Sequence, residues 1–162
     1  MKSVYLLRHA KAKKDIPDLP DIDRPLMKRG RADAEQMGLL LKQRGARFDR
    51  VLCSPALRAR ETVQILLPFV HFSLQAVEYV EDLYPASAEE ILAILSSQQE
   101  GESVLLCGHN PAIEGLASRW AGRTLEKYRT CGCFFARFSI DRWDQLRDSS
   151  SVEWEYFDPV SL

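Results

Sequence analysis

Short apolar runs of strand length alternate with segments of helical periodicity along this chain, and this alternation constrains its fold more than any other feature. The pattern is typical of a parallel β-sheet with helices on both faces. The predicted strands cover residues 3–7, 51–53, 77–80, 103–107, 134–140 and 152–157. We therefore predict one α/β domain over residues 1–162, with three α/β/α layers and a mostly parallel sheet of about five or six strands.

Capping signals mark where the intervening helices begin. The predicted helices cover residues 26–44, 54–67, a segment after residue 87, and 110–120. Ser54 and Asn110 each stand directly before a proline, which is the order expected for an N-cap residue and the first helical turn. Ser87 and Glu90 have the spacing of a capping box. Each helix is therefore expected to start just after a predicted strand or turn.

The charge balance argues against two classes of partner. The 22 basic and 23 acidic residues leave a formal net charge of −1. A balanced chain has no general attraction to nucleic acid or to an anionic membrane surface. We therefore expect any anion recognition to be local and to depend on a few arginine or lysine side chains.

The first residues and the cysteines favour a cytoplasmic protein. The apolar run near the N-terminus is too short for a signal peptide, and no stretch has the length of a membrane span. The four cysteines are too few and too scattered for a secreted disulfide scaffold. They are predicted to be reduced thiols of the core, at Cys53, Cys107, Cys131 and Cys133.

Polar side chains follow three of the predicted strands. His9 and its neighbour Arg8 come at the end of the first strand, and His109 follows the strand at 103–107. Arg58 lies just beyond the strand at 51–53. Ligands of open parallel sheets bind at the carboxyl ends of the strands, so these residues are expected to meet there. His71 lies away from any such turn and is predicted to be structural.

These residue types suit a phosphoryl group. Arginine side chains offer planar sets of donors that match a tetrahedral oxyanion, and a neutral imidazole can attack phosphorus to form a covalent intermediate. The charges of Arg8 and Arg58 should lower the pKa of His9 and keep it unprotonated. His109, if protonated, would add a third donor. The scheme needs no metal ion.

Three blocks resemble a known family. Residues 8–10 (Arg-His-Ala) resemble the Arg-His-Gly signature of the histidine phosphatase superfamily. Residues 54–62, with a Ser, an Arg four residues later and a Thr four beyond that, resemble its second block, and residues 108–111 (Gly-His-Asn-Pro) resemble its third. Residues 24–26 (Arg-Pro-Leu) match the start of its first long helix. Within the superfamily, the chain is most similar to the short phosphohistidine phosphatases of the SixA type.

The resemblance implies a fold, a mechanism and a class of substrate. It implies a phosphoglycerate-mutase-like domain without a cap domain, and an enzyme that needs no cofactor. His9 is implied to become phosphorylated, while Arg8, Arg58 and His109 bind the phosphoryl group. The implied substrate is a phosphohistidine on another protein, such as a histidine-containing phosphotransfer domain of a phosphorelay.

One departure from the family pattern supports the same substrate. Many members carry a general-acid Glu two residues after a Leu beyond the third strand, but Leu83 is followed here by Tyr84 and Pro85. Glu81 and Asp82 are nearby candidates to replace that acid. An alkoxide leaving group needs such an acid, whereas imidazole leaving from a P–N bond depends on it less. The departure therefore favours phosphoramidates over alkyl phosphates.

Several alternatives stay open on the sequence alone. A broad-specificity phosphatase for small phosphomonoesters is the main one, and a phosphate-binding module without turnover is another. A metal site built from the histidines and cysteines is disfavoured, because two arginines at the same place would repel a cation. The long polar segment 11–23 is expected to be functional or mobile. The lysines in it, Lys11, Lys13 and Lys14, are candidates to meet an acidic partner.

Overall fold

The computed structural model describes residues 1–160 and confirms the predicted α/β class. The six strands are β1 (Lys2–Arg8), β2 (Arg50–Cys53), β3 (Glu78–Tyr79), β4 (Ser103–Gly108), β5 (Cys133–Phe138) and β6 (Glu153–Phe157). The four α-helices are α1 (Lys28–Gln43), α2 (Leu57–Leu66), α3 (Ala88–Ser96) and α4 (Ala112–Ala121). Short 3₁₀ turns cover Asp21–Asp23, Leu67–Val70, Leu74–Ala76, Glu81–Leu83 and Trp143–Asp148.

The strands form one mixed sheet in the order β3-β2-β4-β1-β5-β6. The first four strands of the chain pair in parallel, while β5 is antiparallel to β1 and β6 is antiparallel to β5. In the parallel part, Cys53 of β2 pairs with Cys107 of β4, and Arg8 of β1 pairs with Gly108. The carboxyl ends of β1, β2 and β4 are therefore level with one another at one edge of the sheet.

Helices cover both faces of the sheet, as predicted. Val104 and Leu106 of β4 pack into a core with α3 and α4, while Leu105 and Cys107 pack into a second core with α1 and α2. Successive strand residues point to opposite faces, so a strand buried on both sides has to be apolar throughout. This explains the continuous apolar run of β4. No helix within residues 1–160 has the length and apolar character needed to cross a membrane.

Two predicted helix starts were placed too early. Helix α2 begins at Leu57 with Ala56 as its N-cap, and α4 begins at Ala112, so neither Ser54 nor Asn110 is the N-cap residue. After β2 the chain forms a local turn before the helix begins: the Ser54 hydroxyl accepts from the Ala56 N–H at 3.2 Å, and it also bonds to a side chain from the neighbouring strand end, as described below. The capping box at the start of α3 is confirmed.

The strand predictions were too long at one position and shifted at others. The strand expected at 77–80 is reduced to Glu78–Tyr79, because only two residues pair with β2 at the edge of the sheet. The strand expected at 134–140 is β5, Cys133–Phe138, and the one expected at 152–157 is β6, Glu153–Phe157. The four cysteines are free and buried, as expected.

Candidate functional site

Two histidines lie side by side at the edge of the sheet where β1 and β4 end. The backbone N–H of His9 donates to the Gly108 carbonyl at 3.1 Å, which extends the parallel pairing of the two strands by one residue. The ring centres of His9 and His109 are 5.1 Å apart. Strand register therefore brings these two residues together across about 100 residues of chain.

The His9 ring is held in one tautomer. Its Nδ1 lies 2.7 Å from the Ala10 carbonyl, which can only accept, so Nδ1 carries the proton and Nε2 keeps a lone pair. The Ala10 N–H in turn donates to the buried Thr62 hydroxyl at 2.9 Å. Burial, with smaller contributions from His109, Arg58 and Arg8, lowers the pKa of His9 to about 3 despite the Ala10 hydrogen bond. The Nε2 atom is therefore unprotonated at neutral pH, with a lone pair that could attack an electrophile.

Arg8 is anchored from the core. Its Nη1 donates to the Tyr128 carbonyl at 2.9 Å, and the hydroxyl of the buried Tyr128 donates to the Leu6 carbonyl at 2.5 Å. Through these bonds the Arg8 guanidinium is linked, by way of Tyr128, to Leu6 of the same strand β1. The Arg8 Nε is buried and finds no hydrogen-bond partner among residues 1–160.

Arg58 lies in the first turn of α2 and is anchored from a loop. Its side chain is only 6% exposed, and its two terminal nitrogens both donate to Asp21. Nη1 reaches the Asp21 carbonyl at 2.8 Å, and Nη2 reaches the Asp21 carboxylate at 3.1 Å. The Nε of Arg58, like that of Arg8, is buried and has no partner in the described part of the chain.

His109 is neutral and not a cation. Burial and the neighbouring Arg58 are the main reasons why its pKa is lowered to about 4. Its Nε2 lies 2.7 Å from the Ser54 hydroxyl, which accepts from the Ala56 N–H at 3.2 Å. The hydroxyl can donate to Nε2 or accept from it, depending on the tautomer of His109. In the tautomer with the proton on Nδ1, the hydroxyl donates to Nε2, and a neutral His109 presents an N–H donor at Nδ1.

The cluster presents several unsatisfied donors. Six buried side-chain nitrogen or oxygen atoms lack a hydrogen-bond partner among the described residues, and three belong here: Arg8 Nε, Arg58 Nε and His109 Nδ1. A buried donor without a partner costs about 1–3 kcal/mol, so their concentration at one place calls for a ligand. Three N–H groups and an imidazole lone pair suit an anion with several oxygens around an electrophilic centre.

Several contributors to the site are not predicted by the sequence. Asp21 and Tyr84 lie beside Arg58 and His109, with the Tyr84 ring centre 5.4 Å from that of His109. Ser54 was interpreted as a helix cap although it orients His109. The Ser-Arg-Thr spacing of residues 54–62 marks Thr62 as a candidate. The bond between Thr62 and Ala10 could not be predicted, because it depends on how the end of β1 packs against α2. No spacing rule pointed to Tyr128.

Other candidates lie elsewhere. Glu81 and Asp82 are exposed residues of the 3₁₀ turn that precedes Tyr84. His71 lies in an exposed turn after α2, with a backbone φ of 58°. Within residues 1–160, no group of three or more His, Cys, Asp or Glu side chains is arranged to hold a metal ion.

Comparison with known proteins identifies the family. The family model of the histidine phosphatase superfamily (branch 1) matches residues 4–84, which is half of the chain. The chain belongs to the histidine phosphatase superfamily. An uncharacterized protein of Mycobacterium leprae is 34% identical over 159 residues, which cover 90% of this chain and 94% of the relative. Membership of the superfamily makes the chain a phosphatase. An unprotonated imidazole next to two arginines fits that activity.

Solved structures give the same result. A protein of Agrobacterium tumefaciens that has been proposed to be the phosphohistidine phosphatase SixA is 31% identical, with a TM-score of 0.79. The match covers 95% of this chain and 97% of that protein. The protein histidine phosphatase SixA in complex with tungstate has a TM-score of 0.81 at 23% identity, with 98% of both chains covered. The histidine phosphatase fold is thus shared over nearly the whole chain.

Proposed function

We propose that this histidine phosphatase hydrolyses phosphohistidine on a partner protein through a covalent phospho-His9 intermediate, with Arg8, Arg58 and His109 as the phosphoryl ligands. The observation that carries the choice of substrate is that no protonated carboxyl group is hydrogen-bonded to these four side chains within residues 1–160. In the family pattern a general-acid Glu lies two residues after a Leu, but here the residue two after Leu83 is Pro85, while Tyr84 lies beside His109. Among the described residues, Asp21 is the one carboxyl group hydrogen-bonded to the cluster, and its pKa is held well below the ordinary value, chiefly because the Tyr84 hydroxyl donates to it.

An ionised carboxylate has no proton to give to a leaving group. An alkoxide would have to depart without general-acid assistance, which commonly contributes about 10²–10⁴-fold. A phosphorylated imidazole whose second ring nitrogen carries a proton departs as a neutral ring when the P–N bond breaks. The site is therefore suited to a phosphoramidate leaving group.

Two displacements at phosphorus complete the proposed reaction. In the first, the lone pair on Nε2 of His9 forms a bond to phosphorus, and the P–N bond of the substrate breaks with its electron pair leaving on the substrate imidazole. In the second, water attacks the phosphorylated His9, the bond from phosphorus to Nε2 breaks, and inorganic phosphate is released with the proton balance taken up by solvent. The N–H groups of Arg8, Arg58 and His109 stabilise the charge on the equatorial oxygens in both steps.

The proposed partner is a histidine-containing phosphotransfer domain. The similarity to the Agrobacterium protein supports this class of substrate, since that protein has been proposed to be SixA. A surface groove of about 400 Å³ lies next to the residue that binds Arg58, and it is lined by Lys14, Ile16, Leu19, Asp21 and Arg24 among others.

The test compares two leaving groups in one enzyme. Phosphate release is measured in EDTA from a histidine-phosphorylated phosphotransfer domain and from p-nitrophenyl phosphate, with wild type, His9→Ala and the control His71→Ala. We expect much faster cleavage of the phosphohistidine, a loss of at least about 10³-fold in His9→Ala, and normal rates in His71→Ala. Preference for the aryl ester would instead indicate a small-molecule phosphomonoesterase. Full activity of His9→Ala would refute the proposal.

A further inference from the structure

Asp21 is the one residue of the segment 11–23 that binds a proposed phosphoryl ligand. It opens the 3₁₀ turn Asp21–Asp23 that precedes α1, and its side chain is 56% exposed. The side chain that it holds, Arg58, is almost fully buried. An exposed loop carboxylate therefore sets the position of a buried cation in the site.

The two edges of the Arg58 guanidinium have different surroundings. The end of the group, formed by Nη1 and Nη2, is taken by the carbonyl and the carboxylate of Asp21, at 2.8 Å and 3.1 Å. The side edge, formed by Nε and Nη2, is the other surface on which a guanidinium can bind an oxyanion through two donors. On that edge Nε is buried and has no partner among residues 1–160. Asp21 thus occupies one edge and leaves the other for a ligand.

Asp21 is itself held in place by two further donors. The Tyr84 hydroxyl donates to Oδ2 at 2.5 Å, and Nε of Arg24 donates to Oδ1 at 2.9 Å. Together with Arg58, these bonds engage both carboxylate oxygens and keep the group ionised. A carboxylate with three charge-assisted or hydroxyl donors is a stiff anchor, whereas a free carboxylate on a loop would not be.

Asp21 also sets the charge of the pocket. Arg8, Arg24 and Arg58 bring three positive charges to the site, and the Asp21 carboxylate cancels one of them. Without Asp21, the pocket would attract anions more strongly but would hold Arg58 less firmly.

We propose that Asp21 is a positioning residue, whose carbonyl and carboxylate hold the end of the Arg58 guanidinium so that its Nε edge faces the transferred phosphoryl group. This inference rests on the proposed function, because it assumes that Arg58 binds that group. Asp21 acts through Arg58 and does not itself contact the reacting atoms. Its removal should therefore slow the transfer step without weakening anion binding.

The experiment separates turnover from binding. Asp21→Ala and Asp21→Asn are assayed for kcat and KM with phosphoramidate, and the Kd for inorganic phosphate is measured by calorimetry. We expect kcat to fall about tenfold in Asp21→Ala and less in Asp21→Asn, with the Kd for phosphate unchanged or lower. Asp23→Ala is the matched control, since Asp23 is an exposed carboxylate of the same turn and makes no ion pair within residues 1–160.

A double-mutant cycle with Arg58→Ala tests whether the effect passes through Arg58. Asp21→Ala should cause no further loss of kcat in the Arg58→Ala background, because the group that it positions is gone. A kcat unchanged in both Asp21 variants would overturn the inference, and so would a parallel loss of phosphate binding or full additivity with Arg58→Ala. If Arg58→Ala itself retained normal activity, the proposed role of Arg58 would fail instead, so the two failures are distinguishable.

Discussion

Arg8 and Arg58 each have a buried Nε without a hydrogen-bond partner among residues 1–160, but they are anchored by different parts of the molecule. Arg8 is bound by the carbonyl of Tyr128, a buried residue whose hydroxyl is bonded to strand β1. Arg58 is bound by Asp21, which lies in an exposed turn. One half of the site is therefore fixed by the core, and the other half depends on a loop outside the sheet.

This difference teaches how each half of the site is stabilised. The core anchor is held by the close-packed interior, whereas Asp21 is held by individual hydrogen bonds from Arg24, Arg58 and Tyr84, which single substitutions can remove. The two halves are joined by Thr62, whose hydroxyl accepts from the Ala10 N–H next to His9 and donates to the Arg58 carbonyl at 2.6 Å. Changes in the loop half should therefore affect mainly Arg58, while changes at Thr62 should reach both halves.

The largest expected effects come from removing the arginines themselves. Arg8→Ala and Arg58→Ala should each lower kcat by about 10²–10³-fold, the range found when one preorganised donor to a developing anion is lost. Steady-state kinetics with a phosphohistidine substrate would measure both. If the halves are independent, Asp21→Ala should add to the effect of Arg8→Ala, although it should not add to that of Arg58→Ala. Non-additivity with Arg8 would show that the core half also depends on the loop.

The pH dependence of stability tests the two histidines of the site. The pKa values of His9 and His109 are lowered to about 3 and about 4, so the folded protein leaves both rings neutral where the unfolded chain, with an ordinary value near 6.5, binds protons. Stability from these groups is full above pH 6.5 and falls as the pH drops, by about 1.4 kcal/mol per histidine per pH unit. Chemical denaturation between pH 4.5 and 7.5 would measure the slope.

Substitutions of the histidines should separate their contributions. His9→Asn and His109→Asn should each remove about half of the slope between pH 5 and 6, while the exposed His71, replaced by Asn, serves as the control. Equal slopes in wild type and in the double variant His9→Asn/His109→Asn would contradict the assignment of the pH dependence to these two rings.

Thr62→Val should affect both halves at once. Valine keeps the shape of the side chain but leaves the buried Ala10 N–H without its partner and removes the hydroxyl's additional bond to the Arg58 carbonyl. We expect a loss of about 1–3 kcal/mol in the free energy of unfolding, measured by urea titration, together with a lower kcat. Thr62→Ser keeps the hydroxyl and should retain most of the activity. A Thr62→Val enzyme with normal kcat would mean that Ala10 holds His9 without this bond.

The smallest effects should distinguish two tyrosines. Tyr128→Phe removes a buried hydroxyl bonded to the Leu6 carbonyl and should cost about 1–3 kcal/mol of stability. Tyr84→Phe removes a partly exposed hydroxyl bonded to Asp21 and should lower kcat about two- to fivefold with little change in stability. Thermal denaturation and kinetics on the same samples would measure both quantities. The reverse outcome is a loss of stability in Tyr84→Phe and a loss of kcat alone in Tyr128→Phe. It would mean that the loop half contributes more to stability than the core half.

The sequence by itself determined the layered fold and the residues at the strand ends. The run of apolar residues in β4, buried on both faces, could be predicted because periodicity and burial are properties of a single segment. The placement of His9 and His109 at one edge followed from the parallel order of the strands. The polar residue after each strand could therefore be named, although the roles of Arg8, Arg58 and the two histidines stay predictions.

Only the tertiary structure decided how these residues are held. Asp21 meets Arg58 across 37 residues, and Tyr128 meets Arg8 across 120, and no local pattern encodes such contacts. Ser54 has the sequence signature of a helix cap. Its hydroxyl nevertheless bonds to the His109 ring, because the pairing of β2 with β4 brings the ends of these two strands together. Segment patterns determine which residues reach an edge of a sheet, whereas hydrogen-bond partners depend on how separate segments pack.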